Sequence, residues 1–175
     1  YGLFYDCPLE SVSICRGLGY NTSKDHGYSP FAYNNTLTTA TFGSGATRIG
    51  NYLFCGDVAL NSVTMTDEMT AIANYALYGC VGIKSFVIGR NVETIGEYAF
   101  SNCTNLTGLI FPPSVTSIGN YAFRNCTSFN NFAIEESTEK LQLGNGSSEG
   151  EKTALFRDCP ITSVFIGRHL SYNYA

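Results

Sequence analysis

Residues Phe100–Ala122, F-S-N-C-T-N-L-T-G-L-I-F-P-P-S-V-T-S-I-G-N-Y-A, form one unit of a 23-residue period that runs through the chain. Counted from Phe100, the recurring positions are 1 (Phe), 4 (Cys), 7, 10 and 12 (apolar), 16 (Val), 19 (Ile) and 22 (Tyr). Position 1 falls at Phe31, Phe54, Leu77, Phe100 and Phe123. Position 19 holds Ile49, Ile72, Ile95 and Ile118, and position 22 holds Tyr52, Tyr75, Tyr98 and Tyr121. A unit this short buries its apolar side only against its neighbours, so the period predicts coils stacked in a row.

Outward from the centre the period stretches. Phe4 to Phe31 is 27 residues, with an insertion near 21–27. Phe123 to Phe156 is 33, with an insertion near 135–153. Residues 3–21 match residues 155–173 at 12 of 19 positions. These spacings predict a single domain, 1–175, of about seven coils, taken from a longer array.

Within each unit two local patterns alternate. Leu60-Asn61-Ser62-Val63-Thr64-Met65 alternates apolar and polar residues, which predicts a short half-buried strand. Ile95-Gly96-Glu97-Tyr98-Ala99-Phe100 places apolar groups at i, i+3, i+4 and i+5, which predicts one or two turns of helix. With one strand per coil, successive strands must run parallel at about 4.8 Å.

The pattern I-G-x-Y-A-F-x-x-C-x-x-L-x-x-h-x-h (h apolar), seen at Ile95–Phe111 and Ile118–Ile134, resembles the BspA-type leucine-rich repeats. Phe54–Ala76 departs from it, with Asp57 in the Cys position. The resemblance implies an α/β fold: a right-handed leucine-rich-repeat solenoid, a parallel β-sheet on one face and short helices and turns on the other. It also implies a secreted or cell-surface protein that binds other proteins or acts in adhesion.

Composition narrows the function classes. Only 14% of residues are charged, and ten Lys and Arg against 14 Asp and Glu leave a net charge of -4 with no basic block. A nucleic-acid backbone requires concentrated positive charge, so that partner is excluded. No apolar run reaches the length of a transmembrane helix.

Five of seven cysteines, Cys7, Cys80, Cys103, Cys126 and Cys159, share position 4 with Asn34 and Asp57. All three residue types are small and can hydrogen-bond backbone at a tight turn, which makes the column a structural ladder. Disulfides along it are disfavoured because equivalent side chains point the same way. Metal-ligand pairs such as C-x2-C are missing. Cys15 and Cys55 lie off the column.

Catalytic constellations are not found. His26 and His169 have no sequence-adjacent nucleophile, and Glu135, Glu136 and Glu139 open an insertion that reads as a solvated loop or small hairpin, with a strand over 139–143. Gly43-Ser44-Gly45 lacks the Lys of a phosphate loop. Neither a catalytic residue nor a cofactor is expected. Of six N-x-S/T sequons, Asn21 and Asn145 are the two expected to be usable. The Tyr column reads as stacked rings packed toward the core, with a sugar-binding strip as the alternative.

The candidate binding surface is the strand face turned from the core: Ser11, Ser13, Thr39, Thr41, Ser62, Thr64, Ser85, Val87, Ile110 and Phe165. It grades from hydroxyl-bearing to apolar, which suits a protein ligand, and repeat arrays use such faces for binding. The competing readings are a structural spacer with end-to-end self-association and, less favoured because Gly108, Ile110 and Ala133 break the rows, a carbohydrate surface.

Overall fold

The computed structural model describes residues 2–19, 29–144 and 154–172. The insertion at 21–27, His26, residues 145–153 and the sequons at Asn21 and Asn145 lie outside the described residues. Twelve short strands follow in order: β1 (Ser11–Ile14), β2 (Thr39–Phe42), β3 (Arg48–Ile49), β4 (Ser62–Thr64), β5 (Ala71–Ile72), β6 (Thr94–Ile95), β7 (Gly108–Phe111), β8 (Ser117–Ile118), β9 (Asn131–Ile134), β10 (Leu141–Leu143), β11 (Ser163–Ile166) and β12 (Leu170–Tyr172).

Every described pairing is parallel, as a repeat that returns to the same place once per coil demands. One row of strands is built from the expected strand positions, in two sheets ordered β1-β2-β4 and β7-β9-β11. A second row, β3-β5-β6-β8-β10-β12, runs through the Ile of position 19, so Ile49, Ile72, Ile95 and Ile118 pair in register. The core lies between the rows, where Phe54, Leu77, Phe100 and Phe123 are fully buried. Ring stacking continues along the column, with centroids 5.3 Å apart for Phe4–Phe31, 5.9 Å for Phe31–Phe54 and 5.4 Å for both Phe100–Phe123 and Phe123–Phe156.

The helix expected over Ile95–Phe100 is not formed, and the described residues contain no helix. A two-residue strand is followed by turns. The physical reason lies in the backbone N–H groups. Tyr98, Phe100 and Asn102 donate to Asn120, Ala122 and Arg124 of the next coil, at 3.0, 2.8 and 2.8 Å. The residues between them bond locally: Ala99 to Gly96, Ser101 to Tyr98, Cys103 to Phe100. Alternate donors therefore leave the coil, whereas a helix keeps them all inside. Two left-handed residues bend this segment. Tyr52, Tyr75, Tyr98 and Tyr121 have φ between 53° and 55°, and position 3 is left-handed at Asp6, Tyr33, Gly56, Gly79, Asn102, Asn125 and Asp158.

A second difference concerns the segment read as a solvated loop or hairpin. Its strand, β10, sits between β8 and β12 as a parallel member of the second row, with Leu141 fully buried. Leu141–Leu143 thus pairs in parallel and not as a hairpin, while Glu135, Glu136 and Glu139 are exposed. Nearby, the buried Arg168 guanidinium donates to the carbonyls of Pro113 (2.9 Å) and Pro112 (2.8 Å), joining the last coil to the turn after β7.

Candidate functional site

Alternation along each front strand decides which side chains face outward. Ser11, Ser13, Ser62, Thr64, Ser85, Val87, Ile110 and Phe165 are exposed, while Thr39 and Thr41 are half-buried. Their strand neighbours Ala40, Phe42, Leu109 and Phe111 turn into the core. Register brings the outward residues into rows: Ser11 beside Thr39 beside Ser62, and Ser13 beside Thr41 beside Thr64. Ala133 lies between Ile110 and Phe165 in the sheet β7-β9-β11.

The face is not one continuous sheet. Residues 85–88 carry the strand pattern, with Phe86 and Ile88 buried and Ser85 and Val87 exposed, yet no strand forms there and the ladder is open between β4 and β7. The break coincides with a step in inward side-chain size, from Val12, Ala40 and Val63 to Phe86, Leu109 and Phe132. It also divides the chemistry. All six outward residues of β1, β2 and β4 bear hydroxyls, and the exposed apolar ones, Val87, Ile110 and Phe165, lie within the break or beyond it.

Grooves flank this segment on both sides. One, of about 450 Å³, is lined by Phe86, Val87, Ile110, Pro112 and Glu135 among others. The other, of about 400 Å³, runs past Val63, Met65, Asp67, Val87 and Arg90. Between them stands Val87, 80% exposed, with Ile110 at 61% and Phe165 at 57% on the strands beyond. Isolated exposed apolar residues are ordinary; Val87 and Ile110 share one groove, and Phe165 lies on the same face two strands from Ile110. An exposed ion pair, Arg90 Nε to Asp67 Oδ1 at 3.2 Å, borders the second groove and contributes at most about 1 kcal/mol.

The position-4 column lies in the turns, away from this face. Four thiols of the column donate to the carbonyl of the position-1 residue one coil back: Cys80 to Phe54 (3.0 Å), Cys103 to Leu77 (3.1 Å), Cys126 to Phe100 (3.1 Å) and half-buried Cys159 to Phe123 (3.0 Å). Asn34 does the same with Nδ2, to Phe4 (2.8 Å) and to Cys7 (3.0 Å). All seven cysteines are free, and the described residues hold no metal-binding group of three His, Cys, Asp or Glu. Burial pushes the Cys103 thiol up to about 12 and that of Cys55 to about 11. A thiolate-directed reagent at neutral pH should therefore modify exposed Cys15 in the native chain and reach Cys55, Cys80, Cys103 and Cys126 only on unfolding. Mass spectrometry of a labelling time course reads that order; early loss of Cys103 would contradict it.

The tyrosines leave little room for a sugar. Rings of Tyr52, Tyr75, Tyr98 and Tyr121 stack at 4.7, 4.7 and 4.9 Å, so each inner ring has both faces covered. A sugar stacks on a free aromatic face, and these are spent on one another.

Two rows of parallel strands joined in 23-residue coils, with a leucine or phenylalanine column between them, define a leucine-rich-repeat protein. The profile of the BspA type leucine rich repeat region matches residues 24–145 in six copies, and the chain belongs to that family. The fold is similar to that of a T. pallidum leucine rich repeat protein (TpLRR), with a TM-score of 0.69, 21% identity, and 95% of this chain against 68% of that one covered. Weaker likenesses are a leucine rich cell surface protein of Faecalibacterium prausnitzii (TM-score 0.45, 16% identity, 82% of this chain and 46% of that one) and a leucine-rich repeat protein of Bacteroides ovatus (0.43, 14%, 97% and 72%). No curated protein matches the sequence significantly. Among the described residues no helix is long and apolar enough to cross a membrane.

Proposed function

We propose that the chain is a non-enzymatic, extracellular or cell-surface module, a single right-handed solenoid domain belonging to a longer array, that binds a protein ligand in recognition or adhesion. The observation that supports this reading is the outward strand face: uncharged, with Val87 and Ile110 exposed beside grooves at the opened segment 85–88 and Phe165 exposed two strands beyond Ile110. Membership of a repeat family supports interaction in general, because stacked coils present a long surface without the enclosed cleft that chemistry needs. Hot-spot contacts concentrate in a few desolvated side chains, which makes these three residues the ones to test.

The test is an array of secreted and matrix proteins probed with the chain and with the triple variant Val87→Glu, Ile110→Glu, Phe165→Glu. Binding should fall at least tenfold in the variant and persist when Thr94 and Ser117, on the second row, are changed instead. Equal binding by the two variants, or no ligand at all, overturns the reading. End-to-end self-association is the second reading, favoured by β11, whose Val164, Phe165 and Ile166 are all exposed at a sheet edge. A sedimentation coefficient that does not change with concentration removes it.

A further inference from the structure

Asp57 breaks the rule of its own column. Asn34, Cys80, Cys103, Cys126 and Cys159 each present a donor to the position-1 carbonyl one coil back. Phe31 stands in that relation to Asp57, and its carbonyl accepts the Asn34 N–H at 3.2 Å. An ionised carboxylate has no proton to offer a carbonyl. Asp57 is nonetheless fully buried. Its Oδ1 accepts the Asn34 N–H at 2.7 Å, while its Oδ2 is buried with no hydrogen-bond partner.

Among the described residues no counter-charge acts on it. The titratable groups that face Asp57 are the thiols of Cys55 on its own turn and Cys80 on the following coil, both held neutral by burial. From the preceding coil come the backbone amides of Tyr33 and Asn34, and the Tyr33 hydroxyl lies beyond, against Cys55 at 3.9 Å. Two amide dipoles stabilise a buried carboxylate less than water does.

We propose that Asp57 keeps its proton in the folded chain, on Oδ2, where it supplies the column's missing donor to the Phe31 carbonyl, and that this makes the joint between coils 31–53 and 54–76 sensitive to alkaline pH. Burial agrees with the geometry: it pushes the carboxyl up from 3.8 to about 8, against the two amides that pull it down. The folded state then binds one more proton than the unfolded state between these two values. Stability from this group is complete below pH 3.8 and is lost as pH rises through about 8. Ionisation removes that donor and buries a charge in the coil that carries Ser62 and Thr64, in the hydroxyl-bearing half of the face.

The test is denaturant unfolding from pH 6 to 10 of the chain and of Asp57→Asn, which restores a donor like that of Asn34. The folding equilibrium constant of the chain should fall, relative to the variant, by about tenfold per pH unit up to 8 and about a hundredfold in all. Taking the ratio removes the titrations that both proteins share. A ratio independent of pH overturns the proposal. Should Asp57→Asn not fold, Asp57→Cys, the residue of the neighbouring coils, takes its place. Infrared spectroscopy of the unaltered chain adds a readout that needs no variant. A protonated carboxyl C=O band should be present at pH 7 and gone by pH 9.5, and its absence at pH 7 also overturns the proposal.

Discussion

Phe123→Ala should destabilise the chain by about 3–5 kcal/mol, the range for removing a fully buried aromatic ring. Phe123 is wholly enclosed and meets four other rings: Phe100 at 5.4 Å, Phe129 at 5.3 Å and Phe156 at 5.4 Å in stacked geometry, and Phe111 edge-on at 5.6 Å. Its ring bridges three coils, so alanine leaves a void that backbone relaxation cannot close: the Phe123 N–H is tied to Leu155 at 3.0 Å and its carbonyl receives the Cys159 thiol. In a stacked array stability is close to a sum over neighbouring interfaces, and this variant weakens two of them. Urea unfolding followed by circular dichroism measures the loss. Val87→Ala, on an exposed side chain, serves as the control and should change stability by about 0.5 kcal/mol or less. A Phe123→Ala variant within 1 kcal/mol of the parent would mean that the rings do not line up along one axis.

That axis was legible in the sequence because it rests on the strictest columns. A residue every 23 that is aromatic, then Ile, then Tyr has one economical explanation, and Ile49, Ile72, Ile95 and Ile118 pair as the count requires. The outward and inward alternation of Thr39–Phe42 and Gly108–Phe111 was equally plain. The turn was not. Apolar groups at i, i+3 and i+4 bury one side of a helix and one side of this turn alike, so periodicity alone could not separate them. A signal did exist at position 3, where Asp6, Gly56, Gly79, Asn102, Asn125 and Asp158 are the residue types that tolerate a left-handed backbone.

Other features depend on fit between distant residues and leave no local trace. Ser85-Phe86-Val87-Ile88 reads as a strand and keeps its alternating burial, but it forms no strand, and the gap coincides with the step in size from Val63 to Phe86. Leu141–Leu143 was recognisable as a strand, while its partners β8 and β12 lie 25 and 29 residues away by register, off the main period. The Cys column announced a turn ladder without its direction. Only coordinates show that each thiol reaches back one coil, and only that direction makes Asp57 an anomaly.

The left-handed tyrosine column yields a prediction in which turn and helix give opposite signs. Tyr98 stacks on Tyr75 at 4.7 Å and on Tyr121 at 4.9 Å, and its φ is 53°. Tyr98→Ala loses two aromatic pairs, about 0.5–1.5 kcal/mol each, together with the burial of the ring, for a total of about 2–4 kcal/mol. It also keeps a Cβ at positive φ, which costs roughly 1–2 kcal/mol. Tyr98→Gly loses the same ring but no longer has that Cβ, while its unfolded chain gains about 0.4–1 kcal/mol of entropy. The glycine variant should therefore be the more stable of the two by about 0.5–1 kcal/mol. In a helix interior the order reverses, because alanine exceeds glycine there by about 1 kcal/mol. Unfolding midpoints of the two variants, measured side by side, decide between the geometries without reference to the parent's absolute stability. An alanine variant that outlasts the glycine variant would remove the left-handed turn, and with it the reason that the N–H groups of Tyr98, Phe100 and Asn102 reach the next coil.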